Sequence, residues 1–316
     1  MTDSPGSPVQ PVDGEQGIAS WEPADVGGLL LPAWDDFLEL VETVDLEGPS
    51  RVPGWRARDI CVHLGSWSGS RSLPRMREEA LRDELDKDDA RAGTFDRQSH
   101  NEAVLDAWSA APRDRVLEAL RDARGEVADY LSSDEVAVVG HRNVRSALGP
   151  LPLSTLVASA PFELAVHSLD LRPAGAGDPS GALLSAGLAA LVDTTGALAA
   201  RAGLTARAAC LSSEGSWSFA ASPTAWTTLE LPAVPGAWPS IQGAAADLLD
   251  ASAGRRAAPP MLARGELRLH NVAGLLALTP LIEQVPGFPG GPTLRTAMRN
   301  VRAVNRLVRR LPGLWR

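Results

Sequence analysis

The sequence predicts a two-domain protein of the α + α/β class, in which an N-terminal helical bundle precedes a small α+β domain. The chain has 316 residues, which is long for one domain and enough for two that each bury a core. Apolar residues recur at helical spacing between residues 23 and 171. A stretch rich in Gly and Pro, residues 172–181, interrupts this pattern, and short β-like runs follow at 208–212, 216–220 and 227–231. Strands grouped beside helices are typical of an α+β domain.

The helical region is expected to follow a disordered tail. Residues 1–22 are rich in Pro, Gly, Ser and Asp and lack the apolar centre of a signal peptide. The bundle is then predicted over residues 23–174, and a bundle can hold a metal between facing helices. Helices are predicted over 23–46, from 56 into the 70s and around 103–108. A turn and helix start at 109–114 precedes a helical pattern over 116–131, and a last helix runs from 153, with Ser154 as a cap, to 171.

The second domain is predicted over residues 182–292. Its first element is the Ala/Leu run 182–202, which Asp193 and two threonines interrupt, so we interpret it as a buried helix and not as a membrane span. Further helices are expected at 243–253 and 272–285, with a strand at 265–270.

Composition narrows the class of protein. Apolar residues make up 44% of the chain and charged residues 22%, as in soluble globular proteins. The formal net charge of -9 argues against a nucleic-acid partner. The two cysteines, Cys61 and Cys210, are far apart and suggest no disulfide framework, so we expect a reducing, cytoplasmic location.

A candidate metal site comes from helical spacing. Glu163 and His167 are four residues apart in a predicted helix, so their side chains project from one face. A third ligand could come from His63, on another predicted helix. Two His and one Glu would leave metal positions open, as in catalytic zinc sites. The alternatives are an exposed polar pair for Glu163 and His167, and a core histidine for His63.

Two motifs carry a family resemblance. Residues 52–67 contain Trp55, Asp59 and His63 in the order of the "W-x-x-x-D-x-x-x-H-L" helix of DinB-like metalloenzymes. Residues 162–171 resemble the "E-x-x-x-H-x-x-D" helix of the mycothiol-dependent maleylpyruvate isomerase family. The resemblance covers residues 29–174 and implies a DinB-like four-helix bundle. It extends loosely into the C-terminal half, which resembles the family's sterol-carrier-like domain.

The resemblance also implies a reaction. Zn²⁺, or another divalent metal, would be bound by His63, Glu163 and His167 and would activate the thiol of mycothiol. The partners would be this low-molecular-weight thiol and a small electrophilic substrate of the dicarboxylate class. The activity implied is that of a metal-dependent thiol isomerase or thiol S-transferase. The alternative is a non-catalytic metal- or lipid-binding regulatory protein on the same fold.

Three further residues or segments have open interpretations. Asp170, three residues after His167, either orients that ligand or is a polar anchor. The resemblance assigns a catalytic arginine to Arg255, whose guanidinium suits a carboxylate substrate. The alternative is that Arg255 or Arg256 caps a helix C-terminus. Residues 293–316 predict a basic amphipathic helix, which either contacts an anionic membrane surface weakly or packs on its own bundle.

Overall fold

The computed structural model describes residues 11–65, 73–82, 97–232 and 238–284. The N-terminal part is mostly helical, and a short 3₁₀ helix at Gly17–Ser20 precedes the first α-helix. Its α-helices are α1 (Pro23–Glu42), α2 (Ala57–Gly65), α3 (Leu73–Arg82), α4 (Arg97–Trp108), α5 (Arg113–Leu131), α6 (Glu135–Val139), α7 (Leu153–Ala158) and α8 (Ala160–Asp170). A two-stranded antiparallel ribbon, β1 (Asn143–Val144) and β2 (Leu151–Pro152), lies between α6 and α7.

The C-terminal part contains the main sheet. Its helices are α9 (Gly181–Arg201), α10 (Ala245–Ser252), α11 (Ala258–Arg264), α12 (Val272–Leu275) and α13 (Thr279–Gln284). Its strands are β3 (Ala206–Leu211), β4 (Trp217–Ala221), β5 (Trp226–Glu230), β6 (Ser240–Gln242) and β7 (Arg268–His270), in the order β5-β4-β3-β6-β7. Only the β3–β6 pairing is parallel among these strands. The predicted combination of a helical region and a sheet-containing region is confirmed.

Helix α1 illustrates how the apolar pattern builds the bundle. Its first residue is Pro23, whose fixed φ and missing N–H suit the first turn of a helix. Leu30, Trp34, Phe37 and Val41 recur at spacings of three and four and are all fully buried. This apolar stripe packs against α5 and α8, which brings α8 into the centre of the helical region.

The predicted helix from residue 153 to 171 is two helices. The chain breaks between α7 and α8 at Ser159, and Pro161 lies in the first turn of α8. Proline cannot donate a backbone hydrogen bond to the preceding turn, so α7 cannot continue through it and a new helix starts. The prediction of Ser154 as a cap is wrong: Ser154 lies inside α7, and its hydroxyl is 3.0 Å from that of Tyr130.

Helix α9 lies between the helical region and the sheet, contacting α8 on one side and β4 and β5 on the other. Close approach to α8 requires a glycine, because a Cβ on Gly187 would be 2.6 Å from the Cβ of Ala165. Among the described residues, α9 is the one helix long and apolar enough to cross a membrane, and 72% of its most apolar window is buried within the fold. That burial agrees with the predicted core helix.

The predicted disordered tail is wrong for residues 11–22. Ile18 is fully buried, and its backbone N–H donates to Asp193 Oδ1 on α9 at 2.9 Å. The backbone N–H of Trp226 on β5 donates to the carbonyl of Glu15. The polar composition of this segment indicated disorder. The partner that orders Ile18, Asp193, is 175 residues away in sequence, so no local pattern could reveal it. Residues 1–10 and the predicted helix of 293–316 lie outside the described residues, and the domain limits at 174 and 182 stay predictions.

Asp193 provides a test of this N-terminal contact. Its Oδ1 accepts hydrogen bonds from Ile18 N, Trp226 Nε1 and Thr228 Oγ1. Burial raises the pKa of Asp193 from its ordinary 3.8 to about 6, although these three donors oppose the rise. The folded protein therefore keeps a proton that the unfolded chain releases. The contribution of Asp193 to stability is fully present below about pH 4 and is lost as pH rises through 6; a shift of about two pKa units corresponds to about 3 kcal/mol.

We therefore expect Asp193→Asn to flatten the fall in the free energy of unfolding between pH 4 and pH 7, because an amide does not titrate there. Urea unfolding at several pH values measures this. The control is Asp129→Asn, which changes an exposed carboxylate on α5. A pH dependence that is the same in Asp193→Asn and in the unmodified protein would contradict the assignment.

Candidate metal centre

Three side chains from two helices converge on one point. His63 is on α2, and Glu163 and His167 are on α8. One ligand atom of each lies within 4.8 Å of the others. Glu163 Oε2 is 3.9 Å from His63 Nε2 and 3.5 Å from His167 Nε2. Ligands about 2.1 Å from one tetrahedral ion are about 3.4 Å apart, so the separations of Glu163 from the two imidazoles are close to those of ligands that share an ion.

The chemistry of these groups fits a divalent ion. The donor set is two imidazole nitrogens and one carboxylate oxygen, which suits zinc and its neighbours. Desolvation would raise the pKa of Glu163, but the imidazoles of His167 and His63 hold it well below its ordinary 4.5. The carboxylate is therefore ionised at neutral pH, as metal binding requires. The side chains of His63 and Glu163 are 26% and 42% exposed, so a small molecule can reach the group from solvent.

Asp170 fixes the orientation of His167. Its carboxylate is fully buried, and its Oδ2 is 3.0 Å from His167 Nδ1. A proton on Nδ1 donated to Asp170 leaves the Nε2 lone pair facing Glu163 and His63. Desolvation would raise the pKa of Asp170, but hydrogen bonds from His167 and Arg255 lower it. Of the two interpretations of Asp170 drawn from sequence, the contacts favour the one in which it orients the imidazole.

Residues 30–172 match the family model described as the mycothiol maleylpyruvate isomerase N-terminal domain. This part of the chain is therefore similar to the N-terminal domain of that family. The match includes His63, Glu163 and His167, and it confirms the resemblance drawn from the two motifs. The sterol-carrier-like character of the C-terminal half lies outside the match and stays a prediction.

Two solved structures resemble the chain. They are crystal structures of the mycothiol-dependent maleylpyruvate isomerase, 18% identical, and of a mutant of that enzyme, 16% identical. Each match has a TM-score of 0.47 and covers 76% of this chain and 92% of the other. No curated protein sequence matches the chain.

Arg255 is linked to the candidate metal centre through Asp170, whose carboxylate also contacts His167. Its Nε is 3.0 Å from both oxygens of Asp170, and its Nη2 is 2.8 Å from Oδ2. The guanidinium does not cap α10 as the alternative supposed; the backbone N–H of Arg255 does so, donating to the carbonyl of Asp250. The contacts make Arg255 a positioning residue for Asp170, and direct participation in catalysis stays a prediction.

Sequence reasoning missed two residues of the loop before α2. The Trp55 ring is nearly parallel to that of His167, at 6.4 Å between centroids, and lies 5.5 Å from that of His63. Trp55 belongs to the quoted motif, which could have indicated its place. Arg51 donates through Nη2 to Asp250 at 2.7 Å, and its Nε is 3.8 Å from Asp170 Oδ1. Nothing in the local sequence distinguishes Arg51 from the many other arginines of the chain.

Proposed function

We propose that this protein is a mycothiol-dependent, maleylpyruvate isomerase-like metalloenzyme acting on a small electrophilic substrate. The observation that carries the proposal is the convergence of His63, Glu163 and His167 within the residues that match this family's model. A divalent ion, which we propose to be zinc, would lower the pKa of a bound thiol so that it remains a thiolate at neutral pH. Isomerisation would then be addition of the thiolate to a cis double bond, rotation and elimination.

The protein's own residues would bind the metal ion and orient its ligands. His167 would present Nε2 because Asp170 accepts the Nδ1 proton, and Arg255 would fix Asp170 through its two hydrogen bonds to Oδ2. Glu163, already ionised, would contribute negative charge to the ligand set. The partly exposed His63 and Glu163 lie on the side from which thiol and substrate would enter.

The nucleophile would have to come from outside the chain. Cys61 is fully buried, and burial raises the pKa of its thiol to about 12. Burial also raises the pKa of the Cys210 thiol, on β3, to about 12. Thiols with such pKa values are almost entirely protonated at neutral pH and are poor nucleophiles. An external thiol supplies the reactive group that these cysteines do not.

Hydrolysis by metal-bound water is the competing chemistry, and it requires a nearby base. The carboxylate of Asp170 is already hydrogen-bonded to His167 and Arg255 and is therefore a poor candidate for that base. Asp59 accepts a hydrogen bond from the backbone N–H of Arg56 at 2.8 Å, at the start of α2. These engagements favour thiol chemistry over hydrolysis.

The experiment compares two classes of substrate. Zinc-loaded protein is assayed on an electrophilic cis-enoic diacid and on hydrolysable esters and amides, each with and without mycothiol. We expect turnover of the diacid that requires the thiol and is lost in His167→Ala. Thiol-independent hydrolysis that is lost in the same variant would overturn the proposal. Metal binding without any turnover would favour a non-catalytic binding protein.

The location of the protein and its contact with a membrane are also part of this proposal. We propose a cytoplasmic location, because a thiol-dependent enzyme without a disulfide framework suits a reducing compartment. We also propose that residues 293–316, with arginines at helical spacing, give weak contact with an anionic membrane surface.

A further inference from the structure

We propose that Trp55 is a positioning residue of the candidate metal centre, whose indole ring orients His63 and His167 together. The inference rests on one part of the proposed function, the binding of a divalent ion, and not on the reaction that follows. It gives a role to an aromatic side chain that is neither a ligand nor a nucleophile. Its test therefore measures ring contact and metal binding instead of turnover.

The indole and the two imidazoles form a closed cluster of three rings. The centroid of the Trp55 ring is 5.5 Å from that of His63 and 6.4 Å from that of His167, and the imidazole centroids are 5.4 Å apart. The Trp55 ring is inclined by 61° to the His63 ring and by 14° to the His167 ring. Aromatic rings attract one another at centroid separations of about 4.5–7 Å in such edge-to-face and offset arrangements. One side chain therefore contacts two candidate ligands that come from different helices.

The loop that carries Trp55 is fixed before any metal binds. The hydroxyl of Ser50 donates to the carbonyl of Trp55 at 2.8 Å. Gly54, the preceding residue, has a φ of 82°, a left-handed conformation that glycine adopts without steric cost. The backbone N–H of Arg51 donates at 3.0 Å to the carbonyl of Asp170, the last residue of α8. The half-buried indole is therefore placed relative to α8 by the hydrogen bonds of its own loop.

The orientation of an imidazole decides whether it can bind a metal, because the lone pair lies in the plane of the ring. Asp170 Oδ2 is 3.0 Å from Nδ1 at the edge of the His167 ring, and the Trp55 ring is nearly parallel to that ring. These two contacts restrain the imidazole from different directions. A ligand that is oriented beforehand loses less conformational freedom when the ion binds, which raises the affinity.

The contact between the rings also becomes stronger when an ion binds. Coordination withdraws electron density from an imidazole and gives its ring positive character. The face of an indole is the negative part of its quadrupole and attracts positive charge. Trp55 therefore stabilises the metal-bound form of the site more than the metal-free form.

The first measurement tests the ring contact in the metal-free, full-length chain. Histidine labelled with ¹³C at Cε1 gives NMR signals that His63→Ala and His167→Ala assign. We expect both signals to move in Trp55→Leu, which removes the ring current of the indole and keeps an apolar side chain. The signals of His141 and His270, which are exposed and contact Gln side chains, should stay in place.

The second measurement is the affinity for zinc, obtained by competition with a chelator of known affinity. We expect Trp55→Leu to weaken binding on the order of tenfold, because it removes two aromatic contacts that each contribute about two- to tenfold to an equilibrium constant. Trp55→Phe keeps an aromatic face and should retain most of the affinity. With Co²⁺ in place of zinc, the visible absorption bands report the arrangement of the ligands. They should shift in Trp55→Leu and return toward those of the unmodified protein in Trp55→Phe.

The matched control is Trp21→Leu. Trp21 is also half-buried, and it stacks on Trp217 of β4 with the ring centroids 6.2 Å apart. We expect this variant to bind zinc as the unmodified protein does. Melting temperatures of all variants separate the loss of ring orientation from a general loss of structure, and an equal loss of zinc affinity in Trp21→Leu would overturn the proposal.

Other results would also contradict the role of Trp55. These are unchanged zinc affinity with unchanged Co²⁺ bands in Trp55→Leu, unchanged histidine signals in that variant, or no zinc binding by the unmodified protein. Trp55-dependent zinc binding in a protein without thiol-dependent turnover would support the positioning role while rejecting the proposed reaction.

Discussion

Replacing His167 with alanine should abolish stable metal binding, and His63→Ala and Glu163→Gln should do the same. Each change removes one of three protein ligands, and two ligands hold a divalent ion much less tightly. Since changes in the partners of ligands already cost 10- to 100-fold in affinity, we expect a loss on the order of a hundredfold or more for a ligand itself. Metal content after purification and competition with a chelator of known affinity measure it.

The control is His141→Ala. His141 is an exposed histidine that is 2.8 Å from Gln16, and it belongs to none of the elements that carry the candidate ligands. We expect its metal content to equal that of the unmodified protein. If His167→Ala retained one equivalent of tightly bound metal, the assignment of the three ligands would be wrong.

The candidate ligands could be found from sequence because helical spacing is a local property. Glu163 and His167 face the same way simply because they are four residues apart on one helix. His63 is different: it lies a hundred residues earlier, on α2, and spacing alone cannot place it opposite α8. The family motif supplied that link, and the structure brings the three side chains together.

Features that depend on distant partners were missed or misjudged. Residues 11–22 have a polar composition, yet Ile18 is ordered by Asp193 on α9. Arg51 lies in an ordinary loop, yet it is oriented by Asp250, 199 residues later. The helix break at Ser159 differs from these features because a local signal, Pro161, indicates it. The helical pattern on both sides of Pro161 nevertheless led to the prediction of one continuous helix.

Asp170→Asn should both destabilise the fold and weaken metal binding. The carboxylate is fully buried between His167, Arg255 and Arg51, and its loss leaves cationic partners without their counter-charge. Removing one member of a buried ion pair costs about 3–5 kcal/mol. Because both arginines are about a quarter exposed, we expect a cost near the lower limit, about 3 kcal/mol, in urea unfolding.

The effect on metal affinity has a separate cause. An asparagine can donate from its amide nitrogen to His167 Nδ1, which would move the imidazole proton to Nε2 and occupy the lone pair that faces Glu163. We expect a 10- to 100-fold loss of metal affinity.

Asp178→Asn is the control, because Asp178 pairs with Arg172 at the exposed surface. Loss of stability with unchanged metal affinity would mean that Asp170 anchors the arginines but does not orient His167. Because destabilisation and tautomer exchange are different events, chelator competition under conditions where the variant remains folded distinguishes them.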